Sequence, residues 1–421
     1  MNELSDLIYD WNQAGQPSPP VRTVQLVDET LRDGLQSPSL TQPRIQDKVY
    51  LLYLMNDLGI QAVNTGIPAT GPAVQYDCRV LAREIAHHGL RIRPQCAGRT
   101  LEQDVEAIAE VAQWAGTEVE ACLFLGISPI RQYVEDWDED TLLRLSEKAI
   151  CLARDYGLPV MFITEDTTRA RPETLKRLYG HAIACGADRI CLCDTVGHAT
   201  PQGVHNLVTF VRRFVEETAD RPIGIDWHGH RDRGLSVANA LAAIAAGVDR
   251  VHATALGIGE RSGNVPMEVL LVNLKLMGLI DWDLTKLPEY CHVVAEATGA
   301  PLPFNHPVMG RDAFRTAVGV HAAAIAKGMA KGDRRLAEQV YSSVPASMVG
   351  REHTIEIGPL SGMHNVRFWL QSRGLDVPPV VMEKILTAAK QARRLLTEEE
   401  IRRIIVTMER RGVTPQGNAA S

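Results

Sequence analysis

Short apolar runs alternate with amphipathic stretches along residues 24–256. Eight runs have the length and composition of buried strands, and apolar residues recur at helical spacing between them. The predicted strands are residues 24–28, 62–65, 92–96, 119–125, 160–164, 190–194, 223–227 and 251–256. A glycine such as Gly59 or Gly247 often precedes the next strand, as expected where a helix ends in a left-handed turn. Eight β/α units over roughly 250 residues predict a (β/α)8 TIM barrel of the α/β class.

A doubly wound open sheet is the alternative fold, but it would carry a G-x-G-x-x-G motif after its first strand. The first predicted strand instead runs into E-T-L-R-D-G at 29–34. After about residue 281 the alternation gives way to helical segments separated by proline and glycine. We therefore predict an N-terminal arm over 1–21, a TIM-barrel catalytic domain over 22–280 and a mainly helical C-terminal region over 281–421.

Composition narrows the class of protein and its partners. The chain has 421 residues, 45% of them hydrophobic, and a net charge of −7 without a basic block, which argues against nucleic acid or anionic membrane as a partner. No apolar run approaches the roughly 18 residues that span a bilayer, and the N-terminus lacks a signal-peptide pattern. None of the eight cysteines forms a C-x-x-C pair. We expect a cytoplasmic protein with reduced, buried cysteines.

Polar residues follow most of the predicted strands at their carboxyl ends. In a TIM barrel the active site is built at this end, so we expect these side chains to converge at one rim. They are Arg32, Asp33, Asn64, Glu165, Asp166, Asp194, Thr195, His228, His230, Glu260, Arg261 and Asn264.

The sequence His228-Gly229-His230 is the sharpest of these features. Two residues apart on a strand, both imidazoles point to the same side, where one divalent metal ion can take both. Asp33 and Asn264 offer oxygen ligands at matching strand ends. Two nitrogens, two oxygens and open positions suit a catalytic Mg, Mn, Fe, Co or Zn ion better than a closed structural zinc. A chance H-x-H pair is the alternative, and Asp33 with Asn264 favours the metal.

Two further residues have both a catalytic and an ordinary interpretation. Beside a metal, Arg32 would stabilise developing oxyanion charge, whereas on the surface it would only form an ion pair. Glu165 is either a general base or a carboxylate at the start of the segment that follows.

Three ordered motifs resemble one known family. They are D-E-T-L-R-D-G at 28–34 with Gln36, H-x-H at 228–230 followed by Asp232 and Gly234, and G-x-G-E-R-S-G-N at 257–264. Together they resemble the 2-isopropylmalate synthase/homocitrate synthase family of the DRE-TIM metallolyase superfamily. The resemblance covers residues 22–280 strongly and continues more weakly through His321, Tyr341 and residues 361–362. It implies a Claisen condensation of acetyl-CoA with a 2-oxo acid, which yields a 2-substituted malate and CoA for amino-acid biosynthesis.

The resemblance also implies roles for individual residues. The implied ligands of a divalent ion (Mg, Mn, Zn or Co) are Asp33, His228, His230 and, more weakly, Asn264. The implied substrate-binding residues are Arg32, Gln36, Arg99, Arg131 and Thr195. The implied catalytic residues are Arg32, Glu165, His321 and Tyr341. Family members form intertwined dimers, so a homodimer is expected in which His321 reaches the neighbouring barrel; an ordinary helix-face histidine is the alternative for His321.

The sequence departs from the family pattern near Arg32. The family usually has Glu at the position of Asn64, and Leu35 stands where a Glu commonly precedes Gln36. Because both changes remove acidity, the sequence leaves the catalytic arrangement around Arg32 open. Arg131 either clamps a distal anionic group of the acceptor or is a solvated charge.

Two other functions compete with condensation. A lyase of the same superfamily would cleave a 3-hydroxy-3-methylglutaryl-CoA-like thioester or a 4-hydroxy-2-oxo acid, but such lyases carry a cysteine in the loop near the last strand, and residues 257–261 have none. A non-catalytic relative is suggested by Asn64. The acceptor stays open among an oxovalerate, 2-oxoglutarate, pyruvate and a more specialised oxo acid. Little chain follows the catalytic region, so we expect no inhibition by leucine.

Overall fold

Eight parallel strands close into a barrel in chain order in the computed structural model, which describes residues 7–12 and 23–411. The strands are β1 (Gln25–Asp28), β2 (Ala62–Asn64), β3 (Arg93–Arg99), β4 (Glu120–Gly126), β5 (Val160–Glu165), β6 (Arg189–Asp194), β7 (Gly224–Gly229) and β8 (Arg250–Ala253). Val27 of β1 is in register with Ala62 of β2 and with His252 of β8, which closes the barrel. The predicted TIM barrel is confirmed, and each predicted strand is present with shifted ends.

Helices surround the barrel and cover its strands. They are α1 (Ile45–Asp57), α2 (Pro72–His87), α3 (Glu102–Ala115), α4 (Pro129–Glu135), α5 (Glu139–Asp155), α6 (Pro172–Ala184), α7 (Pro201–Thr218), α8 (Ser236–Ala246), α9 (Met267–Leu276) and α10 (Leu287–Thr298). Helix α7 shows how the sequence pattern sets this layer. Val204, Val208, Val211 and Val215 recur every three or four residues, so they share one face, and all four are buried. Thr200 caps the helix by accepting a hydrogen bond from the backbone N–H of Gly203.

The compact unit that holds the barrel continues past residue 280. It contains the described residues 23–302, whereas residues 7–12 and 303–411 belong to a second unit. Helix α10 belongs with the barrel because its Tyr290 is fully buried and its hydroxyl contacts Asp28, the last residue of β1, and Thr30 shortly after it. Most of the predicted arm over 1–21 lies outside the described residues.

The second unit is mainly helical, as predicted. Its elements are β9 (Arg315–Thr316), α11 (Gly319–Ala330), α12 (Arg334–Gln339), β10 (Thr354–Ile355), α13 (Met363–Gln371), α14 (Pro379–Gln391) and α15 (Glu398–Glu409). The two short strands pair in parallel. Trp369 of α13, Ile385 of α14 and Ile401 of α15 belong to one buried apolar cluster. Thr397 and Glu400 form a capping box that starts α15.

All eight cysteines are free thiols, and six of them are buried. Cys151 is exposed and Cys185 is half-buried, so the expectation of burial is wrong for these two. Cys151 lies on α5 and Cys185 directly follows α6, and both helices are in the outer layer. Within residues 7–12 and 23–411, none of the helices combines the length and apolar character that crossing a bilayer requires.

Candidate active site

One cavity of about 250 Å³ lies where the predicted polar residues meet at the carboxyl ends of the strands. Apolar side chains including Ile67, Phe124 and Ile163 form part of its wall. The predicted site residues that line it are Arg32, Asp33, Gln36, Glu165, Thr195, His228 and His230. A larger cavity of about 620 Å³ lies at the opposite end of the barrel, but the predicted site residues do not line it. The smaller cavity is therefore the candidate active site.

Asp33, His228 and His230 bring three potential ligand atoms together in this cavity. The Nε2 atoms of the two imidazoles are 3.4 Å apart, and each lies 3.7 Å from Oδ2 of Asp33. All three residues are more than nine-tenths buried. A side chain at Gly229 would collide with Trp227, because its Cβ would lie 2.9 Å from the indole nitrogen. This contact explains the glycine between the histidines.

Asp33, His228 and His230 form a triad whose protonation states suit a bound cation. Burial lowers the pKa of His228 to about 3 and also lowers the pKa of His230, so both imidazoles are neutral near neutral pH. Burial would raise the pKa of Asp33, but the charge of Arg32 and the hydrogen bond from the Asn264 side chain hold it below its ordinary value. Two neutral imidazole nitrogens and an ionised carboxylate are the protonation states that metal binding requires. The donor set therefore fits a divalent metal ion.

Neighbouring loops hold Asp33 in place. Its Oδ1 accepts hydrogen bonds from the side-chain nitrogen of Asn264 at 2.5 Å and from the backbone N–H of Glu260 at 3.2 Å. The Asn264 amide nitrogen also donates to the carbonyl of Ile258 at 3.2 Å, and the two acceptors fix which end of the amide faces Asp33. Asn264 thus orients Asp33, and its role as a fourth ligand stays a prediction.

Arg32 is held by two carboxylates at the edge of the cavity. Its Nε donates to Oε2 of Glu29 at 2.6 Å, and one Nη donates to Oδ2 of Asp33 at 3.3 Å. Glu29 also accepts a hydrogen bond from the side-chain amide of Asn64 at 3.4 Å. The sequence did not identify Glu29 as part of the site, although it lies inside the first motif.

Further ion pairs connect Glu29 to charged residues inside the barrel. His252 lies with Nδ1 3.3 Å from Glu29 and Nε2 3.1 Å from Asp226, and Asp226 accepts a hydrogen bond from Arg189 at 2.8 Å. Sequence reasoning missed His252 and Asp226. The sequence did contain a signal for both residues, because each is an ionisable residue inside an otherwise apolar strand.

Glu165 and Thr195 lie across the cavity from Arg32's loop, at the ends of β5 and β6. Burial raises the pKa of Glu165, although the charges of Arg131 and Arg32 oppose this shift. The hydroxyl of Thr195 accepts a hydrogen bond from the backbone N–H of Asp166 at 2.8 Å. Its proton remains available to donate to a substrate carboxylate.

Four predicted residues have contacts of another kind. Arg99 forms a two-pronged ion pair with Asp104, at 2.8 and 2.9 Å. Arg131 is half-exposed and pairs with Glu135 at 2.9 Å. In the second unit, the rings of His321 and Tyr341 stack with centroids 4.0 Å apart. The roles of Arg99, Arg131, His321 and Tyr341 in the reaction stay predictions.

Fold and site together define a TIM-barrel protein with a candidate metal centre at the carboxyl ends of its strands. The sequence matches the HMGL-like family over residues 23–294, and the chain belongs to this family. The resemblance drawn from the three motifs is thereby confirmed.

Curated relatives extend the similarity beyond the barrel. The homocitrate synthase AksA of Methanopyrus kandleri is 33% identical over 87% of each chain. A 2-isopropylmalate synthase of Sulfolobus acidocaldarius is 27% identical over 93% of this chain and 97% of that protein. Among solved structures, the HMG-CoA lyase of Bacillus subtilis has a TM-score of 0.57 and 21% identity, covering 68% of this chain and 97% of the lyase. This last likeness shows the fold alone.

Proposed function

We propose that this protein is an acyltransferase that condenses acetyl-CoA with a 2-oxo acid to give a 2-substituted malate and CoA. The convergence of Asp33, His228 and His230 beside Arg32 in one cavity carries this proposal. A divalent ion held by the triad (Mg²⁺, Mn²⁺, Zn²⁺ or Co²⁺) would supply Lewis acidity at the ketone. The synthase names of the two relatives support the same reaction class.

The side chains around the cavity suit the successive steps. A base removes a proton from the acetyl methyl group, whose carbon then bonds to the ketone carbon while the ketone oxygen takes up a proton. Arg32 would stabilise the negative charge that develops on this oxygen, and the Thr195 hydroxyl would donate to the substrate carboxylate. Water then cleaves the thioester and releases the CoA thiol. We assign the proton transfers to Glu165 and the hydrolysis to His321 and Tyr341.

We further propose a cytoplasmic homodimer in which His321 and Tyr341 complete the site of the neighbouring barrel. Their stacking supports a common function, because it keeps an imidazole and a phenol side by side. Tyr341 is about half exposed, with 49% of its surface accessible, which leaves it available to a second subunit.

A thiol-release assay tests the proposed reaction. Purified protein is incubated with acetyl-CoA, Mn²⁺ and each of a panel of 2-oxo acids, and free CoA thiol is measured. We expect release that depends on both the oxo acid and the metal and that disappears in Asp33→Ala. Aldol cleavage of a hydroxyacyl thioester without oxo-acid-dependent thiol release would instead identify a lyase and reject the proposal.

A further inference from the structure

Glu29 is a fully buried carboxylate beside a residue that lines the candidate active site. It directly follows β1 and lies 2.6 Å from Nε of Arg32, a residue that lines the candidate active site. Its second oxygen is within 3.4 Å of the Asn64 amide and 3.3 Å of the His252 ring. Both oxygens are therefore engaged, one of them by a residue of the site.

This arrangement shows which carboxylate pairs with Arg32 although Asn64 stands where the family usually has Glu. Asn64 ends β2, and its neutral amide cannot balance the charge of Arg32. The amide instead donates to Glu29, so the carboxylate that pairs with Arg32 comes from the residue that directly follows the neighbouring strand β1. Leu35 is buried and contributes no charge either.

We propose that Glu29 is the positioning residue for Arg32, in the role that an acidic side chain at position 64 would otherwise have. This inference rests on the proposed function, since it concerns how Arg32 meets the reacting oxygen. With Nε committed to Glu29, the Nη groups are the donors that can reach both Asp33 and a substrate. Rigid placement matters because a donor stabilises a transition state only when it is oriented in advance.

Glu29 is itself held in its charged form. Burial would raise its pKa, but the charges of Arg32 and His252 keep it well below the ordinary value for a glutamate. His252 in turn pairs with Asp226 and Asp226 with Arg189, so charges of alternating sign run through the barrel interior. Removing the charge of Glu29 would leave Arg32 with only its longer contact to Asp33.

Two variants test the proposal by moving the carboxylate between strands. Glu29→Gln keeps the shape of the side chain and should lower kcat by about 10- to 100-fold, as removal of a supporting residue typically does. The KM for the oxo acid and the affinity for Mn²⁺ should change less than about twofold, because Glu29 touches neither. The double variant Glu29→Gln/Asn64→Glu should recover most of the lost kcat.

A matched control separates positioning from stability. Asp77 pairs with the buried Lys48 at 2.7 Å between α2 and α1, away from the cavity. Asp77→Asn should lower the melting temperature without changing kcat. If Glu29→Gln does not fold, Glu29→Asp replaces it, since this variant keeps the charge and withdraws it from Arg32.

Oxalate binding gives a readout that is independent of condensation. Oxalate is a dianion that places a negatively charged oxygen beside a carboxylate, as the oxo acid does when its ketone oxygen gains charge during condensation. Its calorimetric affinity for the Mn²⁺-loaded protein therefore reports on Arg32. It should weaken about 10-fold or more in Glu29→Gln and recover in the double variant. Unchanged oxalate affinity in Glu29→Gln, or a double variant no better than the single one, would overturn the proposal. If the variants show this oxalate pattern but the wild-type protein releases no thiol, only the proposed function is contradicted.

Discussion

Asn264 donates its side-chain amide to Asp33, and this 2.5 Å hydrogen bond joins residues that are 231 positions apart. They meet because β8 pairs with β1, which brings the loops after the first and last strands side by side. The bond occupies Oδ1 of Asp33, whereas Oδ2 faces the two histidines. Barrel closure thus assembles the candidate metal centre.

Asn264→Asp should weaken Mn²⁺ binding by about 10- to 100-fold. The substitution replaces a donor to Asp33 by a carboxylate that repels it. If Asn264 were chiefly a ligand, an aspartate would bind the cation at least as well. Titration calorimetry of Mn²⁺ distinguishes the two roles.

The control for this measurement is Asn273→Asp. Asn273 donates its amide to the carbonyl of Val269 within α9, so its replacement should leave the Mn²⁺ affinity unchanged. Equal or tighter Mn²⁺ binding by Asn264→Asp would show that the amide does not act through Asp33.

Gly259→Ala should abolish Mn²⁺ binding. A Cβ at Gly259 would lie 2.1 Å from the Asn264 amide nitrogen and 2.5 Å from Oδ1 of Asp33, and φ is +147°. Both neighbours would have to move, which separates Asp33 from the histidines. Gly89→Ala is the matched control, because Gly89 also has positive φ but nothing within 4 Å of the added carbon. Normal Mn²⁺ affinity in Gly259→Ala would contradict the tight packing around Asp33.

The local sequence pattern was enough to predict the barrel and the convergence of Asp33, His228 and His230. It was not enough to predict how the charged residues inside the barrel pair. The triad was predictable because strand ends and the H-x-H spacing are properties of short segments. Glu29 directly follows β1, whereas Asp226 and His252 lie on β7 and β8, so their pairing depends on register across the barrel. A charged residue within an apolar strand signals burial, but it does not identify the partner.

The boundary near residue 280 illustrates another limit of periodicity. The β/α rhythm ends there, yet α10 still belongs to the barrel unit through the burial of Tyr290. A hydroxyl that contacts Asp28 from 262 positions away leaves no trace in local sequence.

Glu165→Gln should lower kcat by about 10²- to 10⁴-fold, the usual contribution of a general base. Burial raises the pKa of Glu165, so the active, ionised form is lost on acidification at a higher pH than for an exposed glutamate. The wild-type profile of kcat should therefore fall on its acid side through this raised pKa. The fall should be absent in the variant. An identical acid limb in Glu165→Gln would assign it to another group.

Mixed dimers test the proposed sharing of His321 between subunits. His321→Ala and His228→Ala homodimers should each be nearly inactive. Unfolding and refolding them together should restore thiol release, because one barrel in the mixed dimer keeps its own His228 and receives the neighbour's His321. Activity that stays at the level of the separate variants would place His321 in its own subunit's site or outside catalysis.

Arg131→His should reduce kcat/KM selectively for dicarboxylate acceptors. Arg131 lies on α4, shortly after the end of β4. Its charge opposes the rise in the pKa of Glu165, which lines the cavity. Turning from Glu135 towards a distal carboxylate would give a charge-assisted hydrogen bond worth about 1.5–3 kcal/mol, or roughly 10- to 100-fold. Arg144→His, at an exposed position on α5, is the control. Rates with 2-oxoglutarate and with a neutral branched oxo acid provide the comparison, and equal losses with both would rule out the clamp.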